Sequence, residues 1–166
     1  MNQAEKIILV DDEATIRKLL RSALMRKGCE CEEDNCTEQA LQKQRNNPAD
    51  LIILDIMMPG KSGIDILSEL KTEFPDTSVI MATAVAETSI AIDCLKMGAD
   101  DYISKPFNLD DLTRNVARTL EKRRLQLQIK GYHQQLEEKV GEQTAKIRQL
   151  FLSGVEALVF ALEAKD

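Results

Sequence analysis

The stretch Leu51-Ile52-Ile53-Leu54-Asp55-Ile56-Met57-Met58-Pro59-Gly60 decides how this chain is read. Four apolar residues run straight into one carboxylate, and a Met-Pro-Gly turn follows. An unbroken apolar run of this length suits a strand buried on both faces, as in a parallel sheet covered by helices on each side. Asp55 then stands at the strand's carboxyl end, where open α/β sheets bind their ligands. Alone, the same residue also fits a surface aspartate that starts a turn.

The pattern repeats outward from that stretch. Lys6–Val10 is a buried strand ended by Asp11-Asp12-Glu13. Ile16, Leu19, Leu20, Ala23 and Leu24 then follow helical spacing, with Arg17, Lys18 and Arg21 off that face, and Gly28 closes the helix. Cys29–Glu33 reads as a second strand, polar enough to lie near an edge. Thr37 to Asn46 is a short helix with Ala40 and Leu41 inward, closed by Asn47-Pro48. After the Asp55 strand, Lys61 or Ser62 opens a helix with Ile64, Leu67, Leu70 and Phe74 on its inner face. Ser78–Ala84 is a fourth strand, Glu87–Met97 a fourth helix ended by Gly98, and Asp101–Ser104 a short fifth strand. Asn108 caps a last helix whose Leu109, Leu112 and Val116 face inward, with Asp110 and Asp111 in the first turn, where the helix dipole favours acids. Five alternations of strand and helix predict an α/β fold, a doubly wound five-stranded parallel sheet. Its carboxyl-end rim gathers Asp11, Asp12, Asp55, Thr83 and Lys105.

Composition narrows the function. The 166 residues suffice for one ordinary domain and an appendage. Twenty-two Lys+Arg against 28 Asp+Glu give a charge of −6, which argues against a generic nucleic-acid binder. With no Trp and only six Phe and Tyr, base-stacking platforms are not expected. The first residues enter a strand too soon for a signal peptide, and Leu150–Leu162 is too short and too interrupted to span a bilayer. A cytoplasmic protein with no membrane association is expected. Cys29, Cys31, Cys36 and Cys94 form no zinc pattern, and His133 is the only histidine. Cys29 and Cys31 alternate in a strand and share a face.

Three carboxylates at one rim repel each other and call for a cation. Hard oxygen donors suit Mg²⁺, which keeps several waters and binds one or two carboxylates together with phosphate oxygens. A carboxylate can also act as a nucleophile and form an acyl phosphate. Phosphoryl transfer needs neutralisation of the moving group. A metal on one side and the Lys105 ammonium on the other supply it, and the Thr83 hydroxyl is placed to bond a phosphoryl oxygen. The bland readings are that Asp12 caps the first helix, Thr83 is an ordinary strand residue, Tyr102 is core and Lys105 is a solvated loop charge.

Val10-Asp11-Asp12-Glu13, Leu54 to Gly60, Ala82-Thr83-Ala84 and Gly98 to Phe107 together resemble the receiver domain of bacterial two-component response regulators over roughly residues 5 to 120. The resemblance implies a flavodoxin-like sheet of order 2-1-3-4-5. It implies that Asp55 accepts a phosphoryl group from a phosphohistidine on a sensor histidine kinase. It implies Mg²⁺ held by Asp11, Asp12, Asp55 and the backbone carbonyl of Met57, with Lys105 paired to the phosphoryl group. Thr83 and Tyr102 become the switch pair, and the Lys105-Pro106 peptide is expected to be cis. Nothing at these positions departs from the pattern.

The remainder reads differently. Residues 1–120 are expected to be the receiver, 121–150 a coiled-coil signalling helix and 151–166 the start of an output domain. No proline follows Asn108, and Leu125, Ile129, Tyr132, Leu136, Val140, Ile147, Leu150 and Gly154 recur mostly at steps of three and four. The extra four-step from Leu136 to Val140 is a stutter that locally unwinds a supercoil. A helix from Asn108 to about Phe151 is roughly 60 Å long. Gly131 and Gly141 each cost it up to about 1 kcal/mol, so a parallel homodimer through residues 121–150 is expected. Val155, Leu158, Val159 and Leu162 form a further apolar face. Glu156-Ala157-Leu158 and Ala161-Leu162-Glu163-Ala164-Lys165-Asp166 are similar to the start of HD-GYP domains, which hydrolyse cyclic-di-GMP. The chain stops before any HD-GYP metal ligand would appear. It is therefore expected to perform no such hydrolysis itself and reads as a truncated regulator, not an enzyme, whose parent is a phosphodiesterase. Alternatives are a diguanylate cyclase, histidine kinase or adapter output, or an aspartate-nucleophile phosphatase. The usual Asp-x-Asp pair of the last is broken here by Met57. A DNA-binding regulator is least favoured, since no helix-turn-helix pattern follows.

Overall fold

The computed structural model describes residues 4–84 and 88–165. The strands are β1 (Lys6–Val10), β2 (Glu30–Asp34), β3 (Leu51–Asp55), β4 (Ser78–Ala84) and β5 (Asp101–Lys105). The helices are α1 (Ala14–Met25), α2 (Thr37–Asn46), α3 (Gly63–Glu73), α4 (Thr88–Lys96) and α5 (Leu109–Glu163). All strands pair in parallel in the order β2-β1-β3-β4-β5, the doubly wound sheet that the alternation predicts. The polar strand β2 lies at one edge, and β1 and β3, buried at every position, lie inside. The expected start of the fourth helix at Glu87 lies outside the described residues.

Each face of the sheet carries its own core, because successive side chains point to opposite sides of a strand. Ile8, Val10, Ile52, Leu54, Val79 and Met81 pack under α2, α3 and α4 side chains such as Leu41, Leu67 and Cys94. Ile7, Leu9, Leu51, Ile53 and Ile80 pack under Leu20 and Leu24 of α1 and Leu112, Val116 and Leu120 of α5, with Cys29 and Cys31 on this side. The Asn108 side chain caps α5 by accepting the backbone N–H groups of Asp110 and Asp111 at 3.0 and 3.3 Å.

Besides one-residue shifts at the ends of β2, α4 and β5, three details differ from the sequence reading. Leu19 is 43% exposed, because the buried stripe of α1 is the narrower set Leu20, Ala23 and Leu24, with Ile16 at its margin. Ile66, not Ile64, is the fully buried isoleucine of α3. The last helix runs past Phe151 to Glu163, since no proline interrupts it and Gly154 is tolerated as an isolated weak former. The chain divides into two compact units, Met1–Arg124 and Leu125–Asp166. Within the first, Arg123 on α5 donates from Nε to the Asp76 carbonyl at 2.6 Å and pairs with Asp50 at 2.7 Å, fastening the helix to the amino-terminal edge of the sheet. Within the second, the apolar residues from Leu125 to Leu162 named above are exposed. No described helix is long and apolar enough to cross a membrane.

One buried carboxylate is only half satisfied. Asp34, the last residue of β2, pairs with Lys43 at 3.0 Å through Oδ1, while its buried Oδ2 has no hydrogen-bond partner. Burial raises its pKa, against the opposing pull of Lys43. A carboxyl raised by folding costs stability only where it ionises. Below its unfolded value the fold carries no penalty, and the penalty is complete once pH has risen through the folded value. Asp34→Ala is therefore expected to stabilise the fold by about 1 kcal/mol near pH 7, and by less near pH 4, as read from urea midpoints. An equal gain at both pH values would reject the ionised carboxylate as the cause.

Candidate functional site

In a parallel sheet every strand delivers its last residue to the same rim. Asp55 ends β3 and Lys105 ends β5, while Asp11 follows β1 directly. Register places Val10 beside Leu54, Asp55 beside Ala82 and Ala84 beside Lys105, so these loops meet. The Lys105 Nζ donates to Asp11 Oδ2 at 2.7 Å and to Asp55 Oδ2 at 2.8 Å. The other oxygens are also engaged: Asp11 Oδ1 accepts the Glu13 N–H at 2.8 Å, and Asp55 Oδ1 accepts the Met57 N–H at 3.2 Å. Asp11 and Asp55 are buried. Asp12 is exposed, yet one carboxylate oxygen from each of Asp11, Asp12 and Asp55 lies within 4.8 Å of the others.

Electrostatics follow from that packing. Burial raises the Asp55 pKa, opposed by the hydrogen bond and charge of Lys105 and reinforced by the Asp11 charge. Burial works to lower Lys105, but its bonds to Asp11 and Asp55 outweigh it and hold the ammonium above its ordinary value. Lys105 is thus a fixed cation. Three carboxylates against one ammonium leave an excess of negative charge in a site built of hard oxygen donors, with one carboxylate open to solvent. That donor set fits Mg²⁺, which retains waters beside one or two carboxylates.

Other residues predicted for the site fall around this centre. Thr83 is buried at the end of β4, and its hydroxyl donates to the Ala84 carbonyl at 3.0 Å. Tyr102 is half-buried, opposite Met81 in register, and packs on the core beneath α3 and α4. The Met57 side chain is exposed, and the Lys105–Pro106 peptide is cis. The residue at the N-cap of α1 is Glu13, so Asp12 is not spent on capping.

Sequence reasoning missed two contributors. A Cβ on Gly63 would stand 2.2 Å from the Asp55 carbonyl oxygen, so the first turn of α3 approaches Asp55 as only glycine allows. The only signal for it was a glycine just after the helix-capping Ser62. Arg17, read as an off-face charge, instead folds back and donates from Nη1 to the Asp11 carbonyl at 2.5 Å.

Residues 7–117 match the family described as the response regulator receiver domain. The chain belongs to that family. The receiver is 42% identical over 118 residues to the phosphate regulon transcriptional regulatory protein PhoB of Pseudomonas aeruginosa, covering 70% of this chain and 52% of PhoB. It is 35% identical over 119 residues to the chemotaxis protein CheY of Bacillus subtilis, covering 70% of this chain and 98% of CheY. Among solved structures, the receiver domain of NtrX from Brucella abortus superposes with a TM-score of 0.67 at 32% identity, covering 69% of this chain and 98% of that one. The chain spans about half or less of the length of several of the curated relatives it matches, PhoB among them. Receiver domains are phosphoacceptors rather than enzymes, take their phosphoryl group from sensor histidine kinases and bind Mg²⁺ at an acidic aspartate cluster.

Gly63→Ala is expected to cost the receiver about 2–3 kcal/mol through that backbone clash. Gly131→Ala, with nothing within 4 Å of its added Cβ, should instead stabilise its helix by up to about 1 kcal/mol. Thermal melts that show equal effects would reject the close-approach argument.

Proposed function

We propose that Asp55 is the phosphoacceptor of this receiver. The observation that carries the reading is the Lys105 ammonium bridging Asp11 and Asp55, with Asp12 alongside. An Asp55 carboxylate oxygen attacks the phosphorus of a phosphohistidine. The new O–P bond forms as the P–N bond breaks, and the electron pair returns to the imidazole nitrogen, which takes a proton from solvent. Lys105 stays charged throughout and pairs with the oxygens of the transferred group. Asp11, Asp12 and Asp55, with the Met57 carbonyl, are the residues that would hold Mg²⁺, whose bound charge offsets that of the phosphoryl oxygens. Thr83 and Tyr102 serve as the switch pair, the hydroxyl turning to a phosphoryl oxygen and the ring moving inward. The surface so biased is that of α4, β5 and α5, where Ile92, Leu95 and Met97 are already exposed.

The signal leaves through residues 121–150, which we assign to a parallel homodimer on the strength of the exposed stripe of Leu125, Ile129, Tyr132 and Leu136. The likeness of residues 150–166 to the start of HD-GYP domains supports a cyclic-di-GMP phosphodiesterase as the output of the whole protein. A second reading, a transcriptional output, draws support from the similarity to PhoB, a transcriptional regulatory protein.

Asp55→Asn is expected to abolish labelling by acetyl phosphate or a cognate kinase; labelling at the wild-type rate would reject the assignment. Light scattering at tens of micromolar is expected to return the mass of a dimer. A monomer both with and without acetyl phosphate would remove the coiled coil from the proposal.

A further inference from the structure

The loop that carries Asp11 and Asp12 is short, and what holds it is visible. The Asp11 N–H donates to the Asp34 carbonyl at 3.1 Å, continuing the ladder between β1 and β2. Its side chain is taken by Glu13 and Lys105. Its carbonyl lies just past the end of β1, in a residue only 2% exposed. Unbonded there, it would carry the cost of a buried, unsatisfied acceptor. The Arg17 guanidinium reaches back from the first turn of α1 and fills that role from Nη1 at 2.5 Å.

Arg17 is itself held. Its side chain is 14% exposed, and Nε lies 3.5 Å from Glu33 Oε2 on β2, an ion pair without hydrogen-bond alignment. Glu33 also pairs with the more exposed Arg21 at 3.1 Å. The guanidinium thus spans two points, the Asp11 carbonyl and the Glu33 carboxylate, with a rigid fork that an ammonium cannot reproduce. Because Glu33 offsets its charge, Arg17 contributes mainly geometry to the acidic pocket rather than field. The orientation of the peptide between Asp11 and Asp12 follows from that carbonyl bond. Asp12 is exposed, so its placement depends on the peptide that carries it.

We propose that Arg17, braced by Glu33, is the positioning residue of the acidic loop: by fixing the Asp11 carbonyl it keeps Asp12 turned towards Asp11 and Asp55 and so sets the affinity of the pocket for a divalent cation. This rests on the reading of the pocket given above. Partners that orient metal-binding groups without touching the ion commonly change affinity ten- to a hundred-fold when removed.

The test is calorimetric titration of the full chain with Mg²⁺, alongside amide hydrogen exchange of residues 11–13 in metal-free protein. Arg17→Gln and Arg17→Lys are each expected to raise the Mg²⁺ dissociation constant roughly tenfold and to speed exchange at Asp12 and Glu13. Glu33→Gln shifts both readouts the same way by less. Arg21→Gln, which loses the same carboxylate but never reaches Asp11, leaves them unchanged. Wild-type affinity in Arg17→Gln overturns the proposal, as does full rescue by Arg17→Lys, which would show that charge and not the fork is what counts. Should Arg17→Gln fail to fold, Glu33→Gln decides, and unaltered Mg²⁺ affinity there overturns it. Failure of the wild-type chain to bind Mg²⁺ would instead strike the underlying reading of the pocket, and the role of Arg17 with it.

Discussion

One ammonium between two buried carboxylates is the constraint on which the rest of this structure depends. Asp11 and Asp55 come from separate strands and would repel each other at the rim without Lys105 between them. Buried ion pairs are weak contributors to stability, because taking charges out of water costs about what their attraction returns. Their value here is positional. Lys105 can reach both partners only if β5 sits at its place in the sheet and its carboxyl end is level with those of β1 and β3, and the observed register delivers that alignment.

The site is therefore a product of the sheet and not of any one loop. Its supports radiate into ordinary structural residues. Gly63 lets α3 start hard against the Asp55 carbonyl, and the Ser62–Asp65 capping box fixes where that start falls. Arg17 and Glu33 brace the Asp11 loop from α1 and β2. On the opposite rim, Arg123 ties α5 to the beginnings of β3 and β4. Within the first unit the same helix thus starts three residues after Pro106, beside the site, and is anchored at the opposite rim of the sheet by Arg123.

Legibility in the sequence tracked the strength of local pattern. Strands such as Ile7–Val10 and Leu51–Leu54 could be read because a doubly covered strand must be apolar throughout, and the polar β2 betrayed its edge position for the same reason. The four motif groups made Asp11, Asp12, Asp55 and Lys105 candidates together. Side-chain direction was less legible. Leu19 fits the apolar repeat of α1 but is exposed, and helical spacing puts Ile64 on the inner face of α3 where Ile66 is the more deeply buried, because a helix's buried arc depends on what it packs against. Gln44, fully buried on α2, is matched to Ala49 and Thr77, partners that no local pattern reveals.

The sequence by itself determined the alternation of elements, the parallel sheet and the gathering of acids with one lysine, since hydrophobic periodicity and strand polarity act over a few residues at a time. Only the tertiary structure decided which oxygen meets which donor: that Lys105 bridges Asp11 to Asp55, that Arg17 turns back to a carbonyl, that Gly63 has no room for a methyl group. Those contacts join residues brought together by strand order and register. Their geometry arises from packing across the whole sheet, which no window of sequence contains.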